Sequence, residues 1–155
     1  MKVVIQRVSR ACVRVDSEIV GQIQKGLCVL VGVHKTDTDF DAKWIAKKLL
    51  AVRLFESDEG KTWNKSAKDH GFGILAVSQF TLYAFLKGNK PDFHLAMGGD
   101  EAKRLFDLVV SEMKKNYQEN KIETGVFGAM MEVDIVNDGP VTIEFDSTES
   151  RPQKQ

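Results

Sequence analysis

The stretch KVVIQRVSRACVRV, residues 2–15, decides the fold. Side chains of an extended chain point alternately to opposite faces; here Val3 and Ile5 share one face, and Ala11, Val13 and Val15 continue the alternation. A continuous apolar run follows at Leu27, Cys28, Val29, Leu30 and Val31. Three or four strands therefore open the chain.

Between Asp37 and Val52 the period changes to that of a helix. Phe40, Trp44, Ile45 and Leu49 fall on one face and Lys43, Lys47 and Lys48 on the other, behind a cap at Thr36 or Asp37. Such a helix covers a sheet. Arg53 to Phe55 read as a short strand, Glu56 to Gly73 as a long polar loop, and Ile74 to Phe80 as a buried strand. A second helix spans about Asp100 to Tyr117, with Ala102, Leu105, Phe106, Val109 and Met113 at core spacing. Met131, Val133 and Ile135 alternate with Glu132 and Asp134, and the alternation resumes at Val141, Ile143 and Phe145 after Asn137, Asp138, Gly139 and Pro140, which predicts a hairpin. About seven strands and two helices that do not alternate strictly argue against a doubly wound parallel sheet. The expected class is α/β: mixed β-sheets packed on each other with two outer helices, a three-layer β/β/α, barrel-like arrangement. It forms one domain over residues 1–146, with a flexible polar tail at 147–155.

Apolar residues make up 43% and charged residues 28% of the 155, values outside the regime of disorder. No apolar run approaches the roughly 20 residues of a bilayer span, and MKVVIQRVSR lacks a signal-peptide layout. The reading is a soluble, cytoplasmic protein with no membrane partner. Twenty-two Lys plus Arg balance twenty-two Asp plus Glu, which leaves no global field to attract nucleic acid. An RNA partner has to be gripped by a local patch or by the geometry of one end, with modest, salt-sensitive affinity. Cys12 and Cys28 match no zinc spacing and read as buried free thiols, and His34, His70 and His94 are scattered. No metal and no cofactor is expected.

Four segments can carry chemistry. Ser78, Gln79, Phe80 and Thr81 leave the core where an apolar strand gives way to a loop, a place where rigid backbone can aim N–H groups at a ligand; periodicity alone favours the plainer reading, a strand whose polar face meets water. No neighbouring His or acid supports a hydroxyl nucleophile there. Asn137, Asp138, Gly139, Pro140, Val141 and Thr142 fit an ordinary turn, or a special one built on a cis Gly139–Pro140 bond. Arg7 shares the face of Val3 and Ile5 and either finds carbonyl or carboxylate partners or snorkels to water. Lys87 to His94 form a basic loop that can touch phosphate or be merely solvated.

Taken together, MKVVIQRVSRACVRV, VSQFTL at 77–82, GNKPDFH at 88–94 and NDGPVT at 137–142 resemble the D-aminoacyl-tRNA deacylase family, also called D-tyrosyl-tRNA deacylases. The likeness runs almost the whole chain and favours the branch shared by bacteria and eukaryotes over the animal-specific paralogue. It implies a hydrolase that cleaves the ester between a D-amino acid and the terminal adenosine of tRNA, in chiral proofreading during translation. It also implies glycine as a further substrate. It implies a homodimer in which a cis Gly139–Pro140 of one subunit enters the other's pocket beside Ser78, Gln79, Phe80 and Thr81. Arg7 then holds that motif, and Phe127 and Met131 resemble pocket positions. The partner is the acceptor end of D-aminoacyl-tRNA. A nucleic-acid-binding dimer without hydrolytic activity is the alternative.

Overall fold

The computed structural model describes residues 1–150. Strand β1 (Lys2–Val15) turns through Asp16 and Ser17, at φ 50° and 66°, into β2 (Glu18–Ile23), the two left-handed residues that a tight hairpin between twisted strands requires. Then come β3 (Gly26–Gly32), helix α1 (Asp39–Ala51), a short helix α2 (Ala67–His70), and β4 (Gly73–Ser78). A small ribbon of β5 (Phe85–Lys87) and β6 (Lys90–Asp92) precedes the long helix α3 (Gly99–Asn116), and β7 (Ile122–Thr124) and β8 (Glu132–Asp146) complete the fold.

Strand β1 organises the sheet because both of its edges are used. Along one edge Lys2–Val8 pair with β3 and Ala11–Val15 with β2; along the other, β8 runs antiparallel to it from Arg14↔Glu132 to Lys2↔Asp146. Parallel pairings of β3 with β4 and β4 with β7 extend the sheet to the order β2-β1-β3-β4-β7. The mixed, barrel-like α/β architecture expected from the sequence is present, but its two β layers are halves of one six-stranded sheet that curls back on itself. The curl nearly closes where β2 meets β7. A Cβ added at Gly21 would lie 2.3 Å from the Thr124 carbonyl oxygen, so only glycine permits this approach.

Each face of the sheet therefore has its own core. Val3, Ile5, Leu27, Val29, Val31, Ile74 and Ala76 point toward α1 and α3, which contribute Ile45, Leu49, Leu105, Phe106, Val109 and Met113. Val8, Ala11, Val13, Ile23, Cys28, Leu75 and Val77 fill the barrel side, with Leu30, Met131, Val133 and Ile135 half-covered against them. The phase of β1 changes between Val8 and Arg10, where the β8 register shifts, so that Ala11 and Val13 join Val8 inside.

Several expectations are corrected. The hairpin at 131–145 is absent: β8 is one strand of 15 residues, because β1 is long enough to pair with both halves. Arg53–Phe55 contribute only an isolated bridge from Phe55 to Lys65, and the loop beyond contains α2. Phe40 is exposed, and the first-turn position facing inward is Asp41, whose carboxylate accepts from the Thr38 N–H at 2.8 Å to cap α1. Of the thiols only Cys28 is buried; burial pushes it up to about 11, whereas Cys12 is half-exposed beside Asp134. Ser147 to Ser150 form a 3-10 turn, and Ser147 is buried, accepting from the Met1 ammonium and donating to Asp41 Oδ1 at 2.6 Å. The rest of the expected tail, 151–155, lies outside the described residues.

The close approach at Gly21 yields a stability test. Gly21→Ala is expected to cost about 1–3 kcal/mol in urea unfolding, the scale of overpacking without relief by a flexible side chain. An unchanged midpoint would mean that β2 and β7 can separate freely.

Candidate functional site

Residues 137–142 form an outward loop in the middle of β8. Between the pairs Val8↔Asn137 and Gln6↔Thr142, only Arg7 of β1 faces the four residues Asp138 to Val141. Asn137 replaces the missing ladder. Its Oδ1 accepts from the Val141 N–H at 2.9 Å, and its Nδ2 donates to Thr142 Oγ1 at 3.2 Å. Gly139 and Pro140 are exposed at the tip, joined by a cis peptide bond. Gly139 has φ 127°, and a Cβ there would meet Val141 N at 2.9 Å and Arg7 Nη2 at 3.3 Å. No L residue fits that position without moving the loop.

Arg7 does find partners. Its Nη1 donates to the Leu54 carbonyl at 2.7 Å, its Nε donates to the Asp138 carbonyl at 3.3 Å, and the same Nε lies 3.2 Å from Asp138 Oδ2. One planar guanidinium thus ties the loop to the segment after α1, with only 18% of the Arg7 side chain exposed. The alternative of a merely snorkelling arginine does not describe it.

Ser78 ends β4, and Phe80–Tyr83 wind into a 3-10 turn. The Gln79 N–H is already committed to the Val31 carbonyl at 2.8 Å, which removes it from the expected set of free donors. The N–H groups of Phe80 and Thr81 head the turn, and no backbone carbonyl among the described residues accepts from them. Both side chains are exposed, and the Gln79 amide donates to the Thr81 hydroxyl. No histidine or carboxylate among the described residues is hydrogen-bonded to Thr81, and these residues hold no cluster of groups that could bind a metal.

Phe127 and Met131 do not converge. Phe127 packs on the helix side, its ring 5.8 Å from that of Phe106, whereas Met131 packs on the barrel side near Gly125 and Val13. In the 87–94 loop the Lys87 ammonium is 3.1 Å from Asp92, which also pairs with His94, so much of its charge is locally offset. The His94 and Lys87 hydrogen bonds hold the Asp92 carboxyl well below the usual range.

Within one chain the two polar segments are far apart. Arg7 is level with Leu27 and Ile74, whereas Ser78 lies four residues further along β4, and strands β1 and β3 intervene. At about 3.3 Å per residue and 4.8 Å per strand, the Gly139–Pro140 loop and Ser78 are on the order of 20 Å apart along the sheet. Three surface cavities, of about 320, 670 and 420 Å³, are lined by none of Ser78, Gln79, Phe80, Thr81, Arg7, Gly139 or Pro140. Each half of the site is open on its own.

A family model described as D-Tyr-tRNA(Tyr) deacylase matches residues 4–146. The chain belongs to this family. It is 52% identical to a D-aminoacyl-tRNA deacylase of Drosophila melanogaster over 97% of this chain and 95% of that one. A Clostridium perfringens D-aminoacyl-tRNA deacylase is 53% identical over 95% of this chain and 97% of that one. Among solved structures, one described as the c-Myc DNA Unwinding Element Binding Protein superposes with a TM-score of 0.91 at 47% identity, covering 94% of this chain and 98% of that one. A probable eukaryotic D-amino acid tRNA deacylase shares the fold, with a TM-score of 0.78 at 18% identity over 94% of this chain and 98% of that one.

The sequence pattern missed how Asn137 works, because a turn residue and a bulge-closing residue look alike without the partner strand. Asn137→Ala removes the acceptor of the Val141 N–H. It is expected to cost about 1–2 kcal/mol and to speed hydrogen exchange at Val141, with Asn137→Asp keeping the slower rate. Equal exchange in all three proteins would show that the loop does not depend on this side chain.

Proposed function

We propose that the chain is a cytoplasmic D-aminoacyl-tRNA deacylase, and that it hydrolyses the ester between a D-amino acid, or glycine, and the terminal ribose of tRNA. Family membership supports this reading, and the observation that carries it is the pair of uncommitted N–H donors at Phe80 and Thr81. Attack on an ester carbonyl turns its oxygen into an oxyanion, and two fixed backbone donors at the end of a rigid strand are the groups that stabilise it, each worth roughly 3 kcal/mol by analogy with a protease donor. Water forms the new C–O bond, the bond to the ribose oxygen breaks, and the proton passes to that oxygen, giving free tRNA and the D-amino acid. Since no base adjoins Thr81, the vicinal ribose hydroxyl of the substrate is the group we assign to assist the water.

The active unit in this reading is a homodimer. A loop on the order of 20 Å from Ser78 in its own chain reaches a Ser78–Thr81 segment only in a second copy. Gly139 and Pro140 then close the pocket from across the interface, held by their own Arg7; Phe127 and Met131, which pack on opposite faces of the sheet, are not assigned to one pocket. Backbone that fills the space of an L side chain excludes L-amino acids by sterics, nearly independently of side-chain identity, and admits glycine. The non-hydrolytic nucleic-acid-binding reading is not favoured: a chain of zero net charge has little to offer a duplex.

Two experiments test this. Rates with D-tyrosyl-, D-aspartyl-, glycyl- and L-tyrosyl-tRNA are expected to be high for the first three and negligible for the last, and Gly139→Ala should lose activity. Fast L-tyrosyl-tRNA hydrolysis, or an unaffected Gly139→Ala enzyme, would remove the steric account. Thr81→Ala should retain much of the wild-type kcat, because the Thr81 N–H persists; an acyl group trapped on Thr81 would replace the ribose-assisted route with a covalent one.

A further inference from the structure

Trp63 is 57% exposed and has φ 54°, a left-handed conformation that is rare for a bulky residue and concentrates at functional positions. The loop that carries it is well ordered by hydrogen bonds. Phe55 and Lys65 exchange N–H to carbonyl bonds of 3.0 and 2.9 Å, and the Asn64 N–H also reaches the Phe55 carbonyl at 3.0 Å. Ser57 N–H donates to the Lys61 carbonyl at 2.9 Å. Two successive donors on one carbonyl bulge the returning arm, and Trp63 is the residue pushed outward.

Its position is set by Arg7. The guanidinium carbon lies 6.0 Å from the centre of the Trp63 ring while its nitrogens hold the Leu54 and Asp138 carbonyls. Trp63, Arg7 and the Gly139–Pro140 loop thus form one unit, with the indole standing beside the loop. In sequence Trp63 is flanked at two residues' distance by Lys61 and Lys65, and neither of these has an ion-pair partner within 4 Å among the described residues.

We propose that Trp63 is a base-stacking residue for the single-stranded 3′ end of the tRNA whose aminoacyl group is bound by the Ser78–Thr81 segment of a second copy. This rests on the deacylase reading above, in which the Gly139–Pro140 loop enters that copy's pocket and brings its neighbours to the pocket's mouth. An exposed indole is the side chain best suited to the flat face of a base, stacking tolerates any base, and flanking lysines match the phosphates on either side. A deacylase that acts on many tRNAs has to grip the end they share rather than the bases in which they differ.

The test uses the full-length protein and D-tyrosyl-tRNA. Trp63→Ala is expected to raise KM about tenfold, the scale of one lost stack, with kcat within about twofold and Trp63→Phe close to wild type. In a Trp44→Phe background, the fluorescence of Trp63 should be quenched by an RNA oligonucleotide ending in CCA that carries a non-hydrolysable D-tyrosyl amide. An unchanged KM with no quenching would overturn the inference. So would a lowered kcat with unchanged KM and new activity on L-tyrosyl-tRNA, which would make Trp63 a support for Arg7 alone. A Trp63→Ala protein that becomes monomeric would show the indole covered by the second copy, and would overturn it too. Wild-type protein that fails to hydrolyse D-tyrosyl-tRNA sinks the deacylase reading itself, an outcome distinct from all of these.

Discussion

Everything distinctive in this molecule depends on β1 carrying partners along both edges over most of its length. With β8 held in register at Val8↔Asn137 and again at Gln6↔Thr142, four residues of β8 must be accommodated opposite Arg7 alone. An excess of that size cannot be absorbed by twist, so it loops out. The flanking ladders fix where the loop emerges, Asn137 closes it from within, and Arg7 fixes its direction. The exposed Gly139–Pro140 tip is therefore a braced projection from the middle of a paired strand rather than the end of a hairpin.

Much of the fold was legible because its signals are local. Alternation in residues 2–15, the helical spacing of Ala102, Leu105, Phe106, Val109 and Met113, and the unbroken apolar run in β3 each report burial by one neighbouring layer. The errors occurred where local chemistry is the same for two global outcomes. Asn, Asp, Gly and Pro in sequence serve a reversal or a bulge equally well, and only a distant strand, β1, decides between them. Phe40 fits the helical stripe of α1, yet the inward place in that turn is taken by Asp41, whose carboxylate is needed at the helix start and by Ser147. Burial would raise that carboxylate, but the hydrogen bonds from Ser147 and Thr38, aided by the Met1 ammonium, pull it below its ordinary value. A charge in such a setting leaves no mark in hydrophobic periodicity.

The candidate site divides in the same way. Arg7 stood out in the sequence because a cation on an apolar face calls for partners, and the structure supplies three of them in Leu54, Asp138 and the face of Trp63. Ser78 to Thr81 were legible as a polar strand end, but which N–H groups are available was not. That depends on Val31, which takes the Gln79 donor and leaves those of Phe80 and Thr81. Trp63 gave no periodic signal at all, since it lies in a loop and owes its exposure to a bulge between Phe55 and Lys65.

The separation of the two halves bears on the kind of chemistry the fold can perform. A single chain offers two uncommitted N–H groups just beyond β4 and an exposed Gly139–Pro140 tip at the middle of β8, and neither encloses a volume. Donors on an open surface compete with water and are worth little; the same donors in a covered, water-poor pocket act at low dielectric and are worth several kcal/mol. In the proposed pairing, the wall that rejects the L enantiomer is also the cover that strengthens the donors. Selectivity and rate then come from one contact, so a protein without a histidine base or a metal-binding cluster among its described residues can hydrolyse an already labile ester. A chain on its own would be poor at both.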